Sequence, residues 1–124
     1  MVVAGIAVAA ALGALARFGF ERALPGAPDG THYLGTLAVN LSGALALGVA
    51  MGALGPRFVE QPSLRYLISV GFLSSYTTFS AVAYQTVHLL ERGAYGQAAA
   101  YGIGTLVGGT ALAFAGLLLG RLAA

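Results

Sequence analysis

Residues 71–80, which read GFLSSYTTFS, indicate how this chain is built. They lie inside a long apolar segment, Leu64 to Leu90, that carries no acidic residue, yet six of the seven positions 74–80 bear hydroxyl groups. Serine and threonine can hydrogen-bond to the i−4 carbonyl and bend a helix. Non-helical backbone persists at membrane depth only inside protein or beside a polar cavity. The stretch predicts a broken helix that offers carbonyls and hydroxyls to an ion; the alternative is an intact helix with back-bonded hydroxyls packed against its neighbours.

The composition of the chain indicates an integral membrane protein. Of 124 residues, 58% are hydrophobic and only 8% are charged, and the mean hydropathy is +0.84. A soluble domain carries roughly 25% charged residues, so this chain cannot cover a water-facing surface. With no cysteine, it has no disulfide framework and no thiolate-ligated metal. No nucleophile–base–acid set points to an enzyme.

We predict an all-α fold, a single membrane domain with four transmembrane helices, of which the third is broken. A span needs about 20 apolar residues, and four such segments fill the length. The first segment lacks the basic start of a signal peptide and is therefore assigned as a membrane helix. The predicted spans are residues 2–20, 33–54, 64–90 and 97–120.

Polar side chains recur at helical spacing in the second span. Thr36, Asn40 and Gly43 stand at i, i+4 and i+7, which places them on one helix face. An amide at bilayer depth is costly unless it finds partners. Asn40 therefore either makes a hydrogen bond between helices or directs an amide N–H at a permeating anion.

A second polar stripe, formed by Tyr101, Thr105 and Gly109 at i, i+4 and i+8, runs along the fourth span. In the third span, Phe79 and Val82 lie three residues apart on one face beyond the expected break. The small-residue pairs Gly48/Gly52, Gly104/Gly108 and Gly116/Gly120 permit close helix approach.

Arg17 stands near the end of the first span. It is either an anchor that reaches the membrane interface or a cation that draws anions into a vestibule.

The basic residues are evenly divided between the two sides of the membrane. Orientation normally follows an excess of Lys and Arg on the cytoplasmic side, and no excess exists here, so the chain can insert both ways. Two oppositely oriented copies could then pair about an axis in the membrane plane, the geometry that inverted repeats reach within one longer chain. We therefore predict an antiparallel, dual-topology homodimer. The two sets are Arg57, Arg65 and Arg121 on one side and Arg17, Arg22 and Arg92 on the other.

Three motifs together resemble the Fluc/CrcB fluoride channels. They are GALARFGF (13–20), GTLAVNLSG (35–43) and GFLSSYTTFS (71–80), and the resemblance covers nearly the whole chain. It implies a dual-topology homodimer in the bacterial inner membrane that exports toxic fluoride passively. It also implies a structural sodium ion at the dimer centre, held by the backbone carbonyls of Ser74 and Thr77.

The same resemblance implies two antiparallel pores in the dimer, with a fluoride pathway to which residues of this chain contribute. Asn40 corresponds to the pore-lining amide, and Phe79 to the first of two phenylalanines whose ring edges face the ion. Val82 stands where the family has the second phenylalanine, Ser74-Ser75 replace Gly-Gly at the break, and Gln85 replaces a glutamate. The candidate pathway comprises Arg17, Thr36, Asn40, Phe79, Ser80, Val82, Tyr101 and Thr105.

Fluoride chemistry agrees with these residue types. Fluoride is small and strongly hydrated, so a pore must offer donors in place of water yet bind weakly enough at several sites to release the ion. Amide and hydroxyl groups donate hydrogen bonds, and a phenylalanine edge is electropositive.

Two alternatives remain open beside a fluoride channel. One is a non-conducting or heterodimer-partner subunit, which is favoured if Val82, in place of the second phenylalanine, and Gly109, in place of a hydroxyl residue of the family, have disabled the pore. The other is a small multidrug antiporter, which requires a membrane-embedded carboxylate. All four acidic residues lie in or beside predicted loops, which opposes the antiporter: Glu21, Asp29, Glu60 and Glu91.

Overall fold

The computed structural model describes residues 1–124, and all of its regular structure is helical. Four segments are long and apolar enough to cross a membrane: Val2–Ala23, Tyr33–Glu60, Pro62–Glu91 and Tyr95–Ala123. We label the first two α1 and α2. The third consists of α3, residues 62–76, and α4, Phe79–Glu91, separated by the break, and the last is α5. The prediction of four membrane-capable helices is confirmed.

The second helix is longer than the sequence predicts. It was expected to end at residue 54, but α2 continues through Pro56 to Glu60. A proline removes one backbone donor, and the helix nevertheless continues until the Gln61 N–H donates to the Arg57 carbonyl at 2.7 Å. Only Gln61 therefore separates α2 from α3.

The break falls within the hydroxyl-rich stretch, midway along the third span. Before it, the backbone over Tyr66–Leu73 is π-helical, and both the N–H and the hydroxyl of Ser74 donate to the Ser69 carbonyl. Thr77 (φ −86°, ψ 162°) and Thr78 (φ −152°, ψ 109°) are then extended. The intact helix that the sequence left open is therefore not formed.

Glycines bring α2 and α5 into backbone contact. A Cβ on Gly48 would collide with the Ala113 carbonyl, and a Cβ on Gly116 would collide with the Leu45 carbonyl. These positions belong to two of the predicted small-residue pairs. In the third pair, Gly104 faces open space, whereas a Cβ on Gly108 would meet only the Leu41 side chain, at 3.3 Å, so that pair makes no backbone-to-backbone contact within the chain.

Candidate functional site

Asn40 is the side chain that holds the two halves of the third span in place. Its amide oxygen accepts a hydrogen bond from the Thr78 N–H at 2.8 Å. Its amide nitrogen donates to the Thr78 carbonyl at 3.2 Å and to the Thr36 carbonyl at 2.8 Å. An amide has two N–H donors, and both are used. The interhelical hydrogen bond that the sequence offered as one interpretation of Asn40 is therefore present.

Thr78, the last residue of the break, caps the start of α4. The Thr78 hydroxyl accepts from the Ala81 N–H at 3.2 Å, which is the geometry expected of a threonine N-cap. The hydroxyls of Thr78 and Ser80 lie 3.2 Å apart. Ser80 is exposed beside the break.

The break leaves the Ser74 carbonyl without its helical donor and the Thr77 carbonyl with only a weak one. The Thr78 N–H, which would close a helical turn on the Ser74 carbonyl, is donated to Asn40 instead. No other group of the chain donates to the Ser74 carbonyl, and the Thr77 carbonyl receives only a long contact from Arg17 at 3.5 Å. Unwound carbonyls at the C-terminal end of a half-helix are the groups that coordinate sodium in membrane proteins. Ser74 and Thr77 also line one cavity of about 270 Å³, so their donor set fits that ion.

An open groove lies between α4 and α5. It has a volume of about 590 Å³, and its walls include Asn40, Phe79, Val82 and Thr105. Phe79 is 85% exposed, whereas Val82 is 8% exposed. The structure thus brings four of the predicted pathway residues together on one surface of the chain.

A hydrogen-bond chain passes beneath this surface and links four helices. The Tyr101 hydroxyl donates to the Gln85 amide oxygen, the Gln85 amide nitrogen donates to the Thr36 hydroxyl at 3.0 Å, and Thr36 donates to the Glu21 carboxylate at 3.4 Å. An ionised carboxylate only accepts hydrogen bonds, so every proton in the chain points towards Glu21. Thr36 is 1% exposed and therefore lies behind the groove rather than in its wall.

A second cavity, the mouth cavity, lies at the membrane boundary beside Tyr101. It has a volume of about 500 Å³, and residues of the first loop, of α5 and of the end of α4 surround it. Arg92 lines it and forms an ion pair with Asp29 at 2.6 Å. Since Tyr101 lines this cavity and Thr105 lines the groove, the polar stripe of α5 leads from one to the other.

Arg17 does not line the mouth cavity. Its guanidinium approaches the Thr77 carbonyl, so the α1 arginine lies at the break, neither free at an interface nor in the cavity wall. The cation in that wall is Arg92.

Comparison with known proteins identifies the family. A model of the family described as CrcB-like protein, Camphor Resistance (CrcB), matches residues 4–117. The chain belongs to the CrcB family.

Relatives within the CrcB family cover almost the whole chain. It is 38% identical over 117 residues to the "Fluoride-specific ion channel FluC" of Nitratidesulfovibrio vulgaris (strain DSM 19637 / Miyazaki F), with 94% of each chain covered. It is 42% identical over 106 residues to the "Fluoride-specific ion channel FluC 2" of Moorella thermoacetica, covering 86% of this chain and 85% of that one. The family assignment made from the three motifs is therefore confirmed.

Sequence reasoning missed the residues around the mouth cavity. From the sequence, Asp29 and Arg92 were treated only as charges in or beside loops, and His88 was not singled out. They belong to different loops and helices and meet only after folding, because Asp29 is 59 residues from His88 and 63 from Arg92 along the chain. No local spacing could have revealed them.

Proposed function

We propose that this protein is a fluoride channel of the bacterial plasma membrane, which lets the ion leave the cell passively down its electrochemical gradient. The observation that carries the proposal is the groove, in which an amide, a hydroxyl and an aromatic edge line one surface without any carboxylate. The CrcB relatives named as fluoride-specific ion channels support the same ion.

The groove residues would replace the water around fluoride one contact at a time. The Thr105 hydroxyl donates to the Tyr101 carbonyl four residues earlier at 2.6 Å, and it can rotate to donate to an ion instead. Phe79 offers a ring edge. Because each ion contact replaces an intramolecular hydrogen bond, the net gain in free energy at each site stays small, which conduction requires.

A second copy of the chain completes this pathway in the proposal. Ser74, Phe79 and Ser80 are exposed on the surface of one copy, midway along the span Pro62–Glu91. Lipid cannot satisfy the free carbonyls there, so another protein surface is required. The arginines outside the break show no clear excess on either side, which favours an antiparallel partner. They are Arg57, Arg65 and Arg121 on one side and Arg22 and Arg92 on the other.

A structural sodium ion at the dimer centre is part of the same proposal. The Ser74 and Thr77 carbonyls of two copies would hold it, and its charge would favour anions nearby. The fit is supported by the unpaired Ser74 carbonyl, which no donor of its own chain satisfies.

Fluoride release from proteoliposomes, followed with a fluoride electrode, tests the function. Vesicles loaded with fluoride should empty when a potassium ionophore supplies the counter-current, whereas vesicles loaded with chloride should not. Vesicles that contain correctly folded protein and retain their fluoride would contradict the proposal. Equal release of both halides would contradict its ion specificity.

A further inference from the structure

Three ionisable side chains meet at the rim of the mouth cavity. Asp29, from the first loop, accepts a hydrogen bond from Arg92 at 2.6 Å and lies 3.2 Å from the His88 ring nitrogen Nε2. His88 lies in the last turn of α4, and Arg92 is the residue that follows the helix. We call Asp29, His88 and Arg92 the rim cluster. Because Arg92 also lines the mouth cavity, the charge of the rim cluster acts directly on that cavity.

The charge of the rim cluster depends on a single group. Hydrogen bonds from the Thr31 backbone and side chain, together with the one from His88, lower the pKa of Asp29 to about 2. Asp29 therefore stays ionised at every pH at which a cell lives, and arginine stays protonated. With a neutral histidine the net charge of the rim cluster is zero, and with a protonated histidine it is +1.

The other histidine of the chain, His32, follows Thr31 in the first loop, and the His32→Gln variant separates its contribution; the remaining titratable neighbours of the cluster are tyrosines and one glutamate. The Tyr84 ring stacks on His88, with centroids 6.3 Å apart, and Tyr33 and Tyr101 line the cavity across from Arg92. Tyrosine does not ordinarily change charge between pH 5 and 8. Glu91, next to Arg92, is exposed and makes no ion pair with the cluster. Histidine is the side chain that ordinarily changes charge between pH 5 and 8.

We infer that the mouth cavity is an anion-concentrating subsite whose attraction for small monovalent anions is switched on by protonation of His88. The inference rests on the proposed passage of fluoride through this end of the chain. A cell needs fluoride export most in acidic surroundings, because protonated fluoride crosses the membrane as a neutral molecule. The rim cluster that faces the acidic side is the one that becomes protonated, so it concentrates fluoride at that mouth and not at the mouth that faces the less acidic cytoplasm.

The size of the effect follows from one added charge near the surface. A unit charge about 8 Å from the ion in a water-like medium changes the local anion concentration by about twofold. Mobile salt screens the interaction within about 10 Å at 0.1 M ionic strength. The effect should therefore be clear in dilute solution and fade as salt is added.

Fluoride currents across planar bilayers test the inference, because neutral hydrogen fluoride carries no current. One chamber is acidified from about pH 7.5 to about pH 5.5 in dilute fluoride. The current of fluoride that enters from that chamber should rise about twofold. If the copies are antiparallel, either chamber should give this rise, and if they all point one way, only one chamber should.

Matched variants separate the cluster from general effects of acid. His88→Gln should abolish the pH response, whereas His32→Gln, which changes the other histidine of the chain, should keep it. Asp29→Asn leaves the Arg92 charge uncompensated and should raise the current at about pH 7.5 roughly twofold, and Arg92→Gln should lower it by a similar factor. A pH response that survives in His88→Gln, or one that is missing from the unaltered protein, would overturn the inference.

Magnetic resonance of the protein in lipid gives a second readout that does not depend on conduction. Added fluoride or chloride should move the titration midpoint of the His88 resonance to higher pH, because a bound anion favours the protonated ring. The His32 resonance should not move. An unchanged His88 midpoint would refute the subsite even if currents flow, and a shifted midpoint without any current would refute the proposed channel and leave the subsite standing.

Discussion

At the scale of single residues, the most informative side chain is Asn40. Its amide makes three hydrogen bonds to backbone groups of Thr36 and Thr78, and it satisfies both the donor and the acceptor of Thr78 in the break. A residue assigned to the proposed ion pathway from its sequence position is therefore also the residue that holds the break of the third span in place. An ion that recruits the Asn40 N–H must take it from a carbonyl.

Asn40→Asp should abolish fluoride release. A carboxylate can still accept the Thr78 N–H, but it cannot donate to the Thr36 and Thr78 carbonyls, and its charge repels the anion. Loss of charge-assisted contacts of roughly 3 kcal/mol corresponds to at least a hundredfold slower efflux. The electrode assay measures the rate, and gel filtration in detergent shows whether the variant is folded. Efflux at the unaltered rate would exclude the Asn40 side chain from the ion pathway.

Thr36→Val should destabilise the protein. It removes the hydroxyl that accepts from Gln85 in a site where Thr36 is 1% exposed. An unsatisfied buried N–H costs about 1–3 kcal/mol, so the thermal midpoint in detergent should fall. Thr110→Val, which removes an exposed hydroxyl back-bonded to Leu106, is the control and should change the midpoint little. Equal midpoints for the two variants would mean that the hydrogen-bond chain does not contribute to stability.

At the scale of helices, two kinds of contact organise the bundle. Glycine allows α2 and α5 to meet backbone to backbone. The break divides the third span into two halves that contact different helices. The first half lies against α1, where a Cβ on Gly13 would collide with the Phe72 carbonyl. The second half faces α5 across the groove.

Gly48→Ala should lower stability, whereas Gly104→Ala should not. A methyl group at residue 48 meets the Ala113 carbonyl, and at residue 104 it meets open space. Overpacking costs about 1–3 kcal/mol, while alanine for glycine in a helix gains up to about 1 kcal/mol. Thermal unfolding of both variants in the same detergent provides the comparison. A Gly48→Ala protein as stable as Gly104→Ala would show that the α2–α5 contact is looser than described.

At the scale of the whole molecule, a single copy is incomplete in a membrane. Only 16 of its 124 residues are buried, and polar backbone of the break is exposed at mid-span. Lipid can cover the apolar side chains but not unpaired carbonyls. The proposed antiparallel partner covers that surface.

Cysteine labelling tests the proposed orientation. The chain has no cysteine, so Glu60→Cys, at the exposed end of α2, introduces a single thiol. In intact cells, a membrane-impermeant reagent should label about half of the protein, because half of the copies insert each way. Glu91→Cys, at the opposite end of the membrane, should give the same fraction. Complete labelling of one variant and none of the other would establish a single orientation and rule out the antiparallel dimer.

Local properties of the sequence determined the membrane class, the four helices, the hydroxyl-rich break and the family. Hydropathy and hydroxyl density are properties of neighbouring residues within one span, so they can be read from the sequence without knowing how the helices pack. Tertiary structure alone decided that Asn40 clamps Thr78, that Thr36 lies behind the groove, and that Asp29 meets His88 and Arg92. Those contacts join residues 38 to 63 positions apart, and they exist only once helices have paired, because no periodicity within one helix specifies which face of another it will meet.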